Sequence, residues 1–198
     1  MVDGQHRIHA LLELGLGEWF VDVAVHLDVT TNEQACLVFL RLNDRAPVSC
    51  FDKFKAELVA GVEESVAIDS LASSFGLRVT AVRARNAIRS IACLRRAYRL
   101  DAGKSLRRAL AVIVDAWGKH PDAFEGVLIE GLSILLGKQG ADIDTAVMVQ
   151  KLKKYEGGAG ALIGKAAGRA KLLKVSGARG MAEEIHSAYC VGRRKAQK

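Results

Sequence analysis

The chain has 198 residues and a formal net charge of +7, half of its residues are hydrophobic, and its pI is near 9.4. A chain of this length holds one domain or two small ones, with enough apolar residues to build a core. No stretch is long and apolar enough to cross a membrane, and charged residues near the start argue against a signal peptide, so a cytoplasmic protein is expected. The basic balance indicates an anionic partner.

The first residues combine a tight turn with a helix start that suits an anion. Met1-Val2 is typical of the end of a strand, and residues 6–14 have apolar side chains at helical spacing. Gly4 lets the backbone approach a ligand, the free N–H groups of the first helical turn point at it, and Arg7 can bind a phosphate in bidentate fashion. The residues predicted to bind a phosphate or nucleotide are Gly4, Gln5, His6 and Arg7.

Residues 2–11 resemble the DGQHR motif of DndB-like proteins and, more broadly, the G-x-x-R-x-x-A box of the ParB/sulfiredoxin superfamily, at Gly4, Arg7 and Ala10. The segment Phe39 to Lys55, with its Asn and Asp-Lys-Phe, resembles the region downstream of the motif in many such proteins. The likeness is strongest to an actinobacterial and phage family. It implies a sulfiredoxin-like fold, association with DNA, a nucleotide such as CTP or ATP as ligand, and Asn43 as a further ligand contact. The alternative role for Asn43 is that of a helix C-cap.

The chain departs from the superfamily in ways that bear on catalysis. Strands and a first helix precede the motif in the superfamily but not here, so the chain is expected to be incomplete at its amino end. The acidic box of ParB-type clamps falls outside the residues present, and Gln5 stands where sulfiredoxins carry a catalytic Cys. No catalytic residue can be assigned, which favours a chain without enzymatic activity. A nucleotide hydrolase or nuclease remains the enzymatic alternative.

The remaining sequence predicts one strand and then helices. Alternating valines predict a strand over 19–27, and two overlapping capping boxes, Thr30 with Glu33 and Thr31 with Gln34, begin a helix. Further helices are predicted near 63–75, 81–99, 104–117, 121–137, 142–155, 161–174 and 178–191. The apolar stripe of the helix at 121–137 is wide enough for a buried helix. The expected fold is α+β and mainly α. It is divided into a ParB/sulfiredoxin-like portion (1–60), a helical region (61–156), and C-terminal helices with a basic tail (157–198).

Arginines are concentrated between Ser70 and Leu100, a stretch without any acidic residue. Residues 71–98 fit a helix-turn-helix in which Gly76 makes the turn and Val82 holds the second helix, whose arginines would face DNA. The residues predicted to contact DNA are Arg78, Thr80, Arg83, Arg85, Arg89 and Arg96. The alternative is that these arginines form the solvated face of an ordinary bundle helix.

Other chemistry-bearing residues predict no site. The four cysteines lack a C-x-x-C pair and are expected to be reduced thiols, and the amino-terminal histidines lack a complete set of metal-ligand spacings, so no metal is expected. The segment Gly160 to Lys165 lacks the first Gly and the Ser or Thr of a P-loop. One further alternative is a regulatory protein, such as a phage factor, that acts on a host protein or recombinase. An exposed apolar patch on helix 121–137 would favour that alternative.

Overall fold

The computed structural model of the chain describes residues 5–21, 28–42, 49–139 and 142–191. Within these ranges it contains ten α-helices, one 3-10 helix and one two-stranded sheet, so the fold is α+β and mainly α, as predicted. The helices are α1 (Gln5–Glu13), α2 (Asn32–Leu42), α3 (Cys50–Val59), α4 (Glu63–Ser74), α5 (Ile91–Arg99), α6 (Lys104–Trp117), α7 (Gly126–Gln139), α8 (Thr145–Lys153), α9 (Gly158–Leu173) and α10 (Gly177–Cys190). The strands are β1 (Arg78–Val79) and β2 (Ala87–Ile88), and the 3-10 helix η1 is Pro121–Phe124. None of the described helices could span a bilayer.

The chain forms two compact units, a first unit of Met1–Val66 and a second unit of Ala67–Lys198. Helices α9 and α10 therefore belong to the same compact unit as α5 to α8. In the first unit α2 packs on α3.

The start of α2 shows one predicted capping box in full. Thr31 Oγ1 accepts a hydrogen bond from Gln34 N at 3.3 Å, and Gln34 Oε1 accepts one from Thr31 N at 3.1 Å. Thr30 N also donates to Gln34 Oε1, at 2.8 Å, so the second predicted box, Thr30 with Glu33, is replaced by this contact. Three backbone donors, the N–H groups of Thr30, Thr31 and Gln34, are thereby satisfied at the helix start.

The strand predicted over 19–27 is not formed where the chain is described. Trp19 to Val21 have no regular secondary structure, and their side chains are exposed. Residues 22–27 lie outside the described residues, so the prediction stands untested there.

The second unit is built around α7, which packs against α5, α6 and α10. Leu128, Ile129 and Leu132 of this helix are fully buried, which confirms the prediction of a buried helix. Gly131 permits the close packing of α7 on α10, because a Cβ at this position would lie 2.5 Å from Met181 Cγ. Helix α10 also packs on α9, and α6 packs on α8.

The predicted helix-turn-helix is wrong, because the second helix does not follow the turn. Gly76 does turn the chain at positive φ, but β1 and β2 then pair in parallel, and α5 begins only at Ile91. Arg78 N donates to Asn86 O at 2.8 Å, which closes the loop between the strands. The segment is rich in β-branched residues, whose restricted χ1 angles disfavour a helix and suit extended backbone.

Candidate nucleic-acid interface

Positive charge is unevenly divided between the two units. Residues 67–198 carry 24 Lys and Arg against 11 Asp and Glu, a net charge of +13. Residues 1–66 carry 5 Lys and Arg against 11 Asp and Glu, a net charge of −6. The excess of basic residues therefore belongs to the second unit, which is the unit that would attract a polyanion.

The six residues predicted to contact DNA lie in β1, in the loop that joins it to β2, directly after β2, and in α5. Arg78 is in β1, and Arg89 directly follows β2. Thr80, Arg83 and Arg85 are in the loop between the strands. All five arginines of the set, including Arg96 of α5, have exposed side chains, whereas Thr80 is half-buried.

Two of these arginines are paired with acidic residues that lie just before α7. Arg83 forms an ion pair with Asp122 of η1, and Arg89 Nη2 lies 3.1 Å from Glu125 Oε1. Each of the four side chains is at least 41% exposed, so these pairs contribute at most about 1 kcal/mol each. The sequence interval without acidic residues is therefore neutralised in part by acids from elsewhere in the chain.

A third arginine, Arg96, is held more firmly by Glu130 of α7. Nε and Nη2 of Arg96 donate to the two carboxylate oxygens of Glu130, both at 2.8 Å. These hydrogen bonds hold the pKa of Glu130 below, and that of Arg96 above, their ordinary values. Arg96 Nη2 also lies 3.2 Å from Cys93 Sγ, and burial raises the pKa of that thiol. Arg96 is thus part of the link between α5 and α7.

Two arginines of the set are held less firmly. Arg78 Nη2 donates to Asn86 Oδ1 at 3.4 Å, a long hydrogen bond. The guanidinium of Arg85 has no hydrogen bond or ion pair within the described residues. Arg78 of β1 and Arg85 of the loop that follows are therefore the arginines of the set that a phosphate could bind at the smallest cost.

Exposed lysines on α8 and α9 were not singled out from the sequence. They are Lys153, Lys154, Lys165, Lys171 and Lys174. The signal in the sequence is the recurrence of lysines through residues 151–174, which is less dense than the arginines between Ser70 and Leu100. The 3-10 helix η1 packs on both β2 and α9, so it connects the arginine loop and these lysines within one unit.

One of these lysines is positioned by a network that joins α9, α10 and the connection between α8 and α9. Lys165 Nζ lies 5.0 Å from the centroid of the Tyr155 ring, a cation–π contact. Tyr155 donates its hydroxyl hydrogen to Glu184 Oε1 at 3.0 Å, and Arg169 Nε lies 2.8 Å from Glu184 Oε2. Burial and the contact with Glu184 raise the pKa of Tyr155 to about 12. Tyr155 therefore links the connection between α8 and α9 to α10 through Glu184.

The exposed face of α9 carries three glycines, which have no side chains. Gly160, Gly164 and Gly168 follow one another at intervals of four residues, and a Cβ built on any of them would meet nothing within 4 Å. Exposed glycines inside a helix cost about 0.5–1 kcal/mol each relative to alanine. Packing within the described residues does not require these three glycines.

The predicted phosphate site falls mostly outside the part of the chain that can be described. Gly4 and Asn43 lie outside the described residues, as do the side chains of Gln5, His6 and Arg7. The predicted helix is present, because α1 begins at Gln5, directly after Gly4. The binding site itself remains a prediction. Within the described residues no group of three or more His, Cys, Asp and Glu side chains is gathered to hold a metal.

The apolar patch that would favour a protein partner is not on α7, because no described side chain of η1 or α7 is an exposed large apolar one. The first unit does expose such side chains. They include Leu12, Leu14, Trp19 and Phe20, the last of which is fully exposed.

No curated protein and no solved structure matches the chain. One family model matches residues 1–197, which is almost the entire sequence. The chain therefore belongs to DUF6551, a family of unknown function.

Proposed function

We propose that the protein is a cytoplasmic, ParB-like, DNA-associated protein of bacterial or phage origin that binds DNA phosphates through its second unit. The observation that carries the proposal is the net charge of +13 on residues 67–198, set against −6 on residues 1–66. Neutralising phosphates with Lys and Arg releases counterions and supplies most of the affinity for DNA that is independent of sequence. The protein needs no catalytic group for this function.

The contacts differ in cost among the predicted arginines. Arg85 can bind a phosphate without breaking any described interaction, and Arg83 and Arg89 would exchange exposed ion pairs of at most about 1 kcal/mol for charged hydrogen bonds worth about 1.5–3 kcal/mol. Arg96 would have to break its ion pair with Glu130, and the Glu130 side chain, which is only 13% exposed, would then lose its partner. Arg96 therefore stabilises the packing of α5 on α7. The loop arginines and the α8–α9 lysines touch DNA.

The proposal includes a phosphate or nucleotide, such as CTP or ATP, at Gly4 to Arg7. The resemblance to the ParB/sulfiredoxin superfamily supports it, together with the start of α1 directly after Gly4. Arg7→Ala in the full chain should then weaken nucleotide binding by about 1.5–3 kcal/mol, which calorimetry measures.

DNA binding by the full chain across a salt series tests the main proposal, with fluorescence anisotropy of a labelled duplex as the readout. Replacing Lys154, Lys165 and Lys171 by Gln should lower the slope of log K against log salt by about 0.9 for each phosphate that is no longer neutralised. The matched control is Lys53→Gln with Lys55→Gln, two exposed lysines of α3 in the acidic first unit. A parent that does not bind DNA, or a control whose slope falls as much per charge, would contradict the proposal.

A second candidate function is a regulatory protein–protein contact made by the first unit. The exposed Leu14, Trp19 and Phe20 favour it, because several large apolar side chains exposed within one short segment are typical of a surface that a partner covers. Replacing Trp19 and Phe20 by Ser should leave DNA binding unchanged and abolish this contact. Loss of DNA binding in that variant would argue against separate roles for the two units.

A further inference from the structure

The last turn of α10 carries a histidine and a cysteine whose side chains meet. His186 and Cys190 are four residues apart and therefore lie on the same face of the helix. Cys190 Sγ lies 3.5 Å from His186 Nε2. Cys190 is exposed and His186 is half-buried, so a small ion in solvent can reach both atoms.

The separation of these two atoms matches that of two ligands on one metal ion. A tetrahedral Zn²⁺ with bonds of about 2.3 Å to sulfur and about 2.0–2.1 Å to nitrogen holds those atoms about 3.5 Å apart. The two donor atoms therefore already have the spacing that one such ion requires. The carboxyl end of a helix also carries partial negative charge, which favours a cation there, and α10 ends at Cys190.

We propose that His186 and Cys190 chelate a thiophilic divalent ion of the Zn²⁺ class. On binding, the Cys190 thiol releases its proton to solvent and its sulfur bonds to the ion as a thiolate, while neutral His186 donates the Nε2 lone pair. Within the described residues no third His, Cys, Asp or Glu joins the pair, so water completes the coordination. The ion is consequently exchangeable, unlike one enclosed by four protein ligands in a structural site.

Titration of the full chain with Co²⁺ tests the proposal, because a cobalt–thiolate bond adds a charge-transfer absorption band in the near ultraviolet. The parent should gain this band with one equivalent of bound cobalt, and Zn²⁺ should displace it. Cys190→Ser should remove the band, and His186→Ala should weaken cobalt binding by about 10-fold or more. The matched control is Cys50→Ser, which changes an exposed cysteine of the first unit and should leave the titration unchanged.

Two results would overturn the proposal. One is a parent that shows no sulfur–cobalt band at millimolar cobalt. The other is a band that persists in Cys190→Ser, since the thiolate would then belong to another cysteine. Circular dichroism melts of each variant separate loss of the site from loss of the fold. Because the titration contains no DNA, its outcome is independent of the DNA-binding proposal.

Discussion

Arg96 of α5 and Glu130 of α7 form a bidentate pair, with Nε–Oε1 and Nη2–Oε2 both at 2.8 Å. The arginine is 57% exposed but the carboxylate only 13%, so the two partners have unequal access to water. The guanidinium can be hydrated if the pair breaks, whereas Glu130 would keep a poorly solvated charge. This asymmetry places Arg96 among the residues that hold the second unit together.

Arg96→Ala should therefore lower the free energy of unfolding by about 1–3 kcal/mol, the cost of leaving a largely buried polar group without its partner. Arg85→Ala is the matched control, because it removes the same charge from an exposed guanidinium that has no partner among the described residues, and it should change stability by less than about 0.5 kcal/mol. Urea unfolding of the two variants and the parent measures the difference. Equal stability of the two variants would show that the pair contributes nothing.

The contribution of the pair should depend on pH. The pKa of Glu130 is lower in the folded protein than its ordinary value of 4.5, because of the hydrogen bond from Arg96. The stabilisation is therefore fully present above the unfolded pKa and is lost as pH falls through the lowered folded value. Glu130→Gln, which cannot ionise, should have a flatter profile of stability between neutral pH and about pH 3. A profile parallel to that of the parent would contradict this.

Two glycines of the second unit should respond to alanine in opposite directions. Gly164→Ala should raise the free energy of unfolding by about 0.5–1 kcal/mol, because the position is exposed in α9 and a Cβ there meets nothing within 4 Å. Gly131→Ala should destabilise the fold, because its Cβ would lie 2.5 Å from Met181 Cγ and 2.8 Å from the carbonyl oxygen of Ala178. Thermal melts decide the signs, and a change in the same direction for both would refute the described packing of α7 on α10.

Some of the predicted arginines should contact DNA directly, whereas Arg96 should only stabilise the fold. Arg78→Ala combined with Arg85→Ala should flatten the salt dependence by about two units of slope if both touch phosphate. Arg96→Ala, measured at a temperature where it remains folded, should leave the slope unchanged, because Glu130 occupies its guanidinium. The reverse result would show that the ion pair opens for DNA and that the loop is not the contact surface.

Several elements could be predicted from the sequence because their causes are local. The Thr31–Gln34 capping box and the buried helix α7 depend on residues within one or a few turns, so spacing alone revealed them. The helix predicted over 81–99 is wrong in its first half, because α5 begins only at Ile91. Its apolar spacing continued through the β1–β2 segment, and the pairing of Arg78 with Ala87 and of Val79 with Ile88 overrode it.

By itself the sequence determined the mainly helical class, the net positive charge and the concentration of arginines between 70 and 100. Only the tertiary structure decided which arginines are available. The acids that pair with Arg83, Arg89 and Arg96 lie 39, 36 and 34 residues further along the chain. Charges so distant in sequence come together only when η1 and α7 pack beside the loop and α5. The strength of each ion pair then depends on how far its side chains are buried, and the spacing of apolar residues in the sequence does not give that burial.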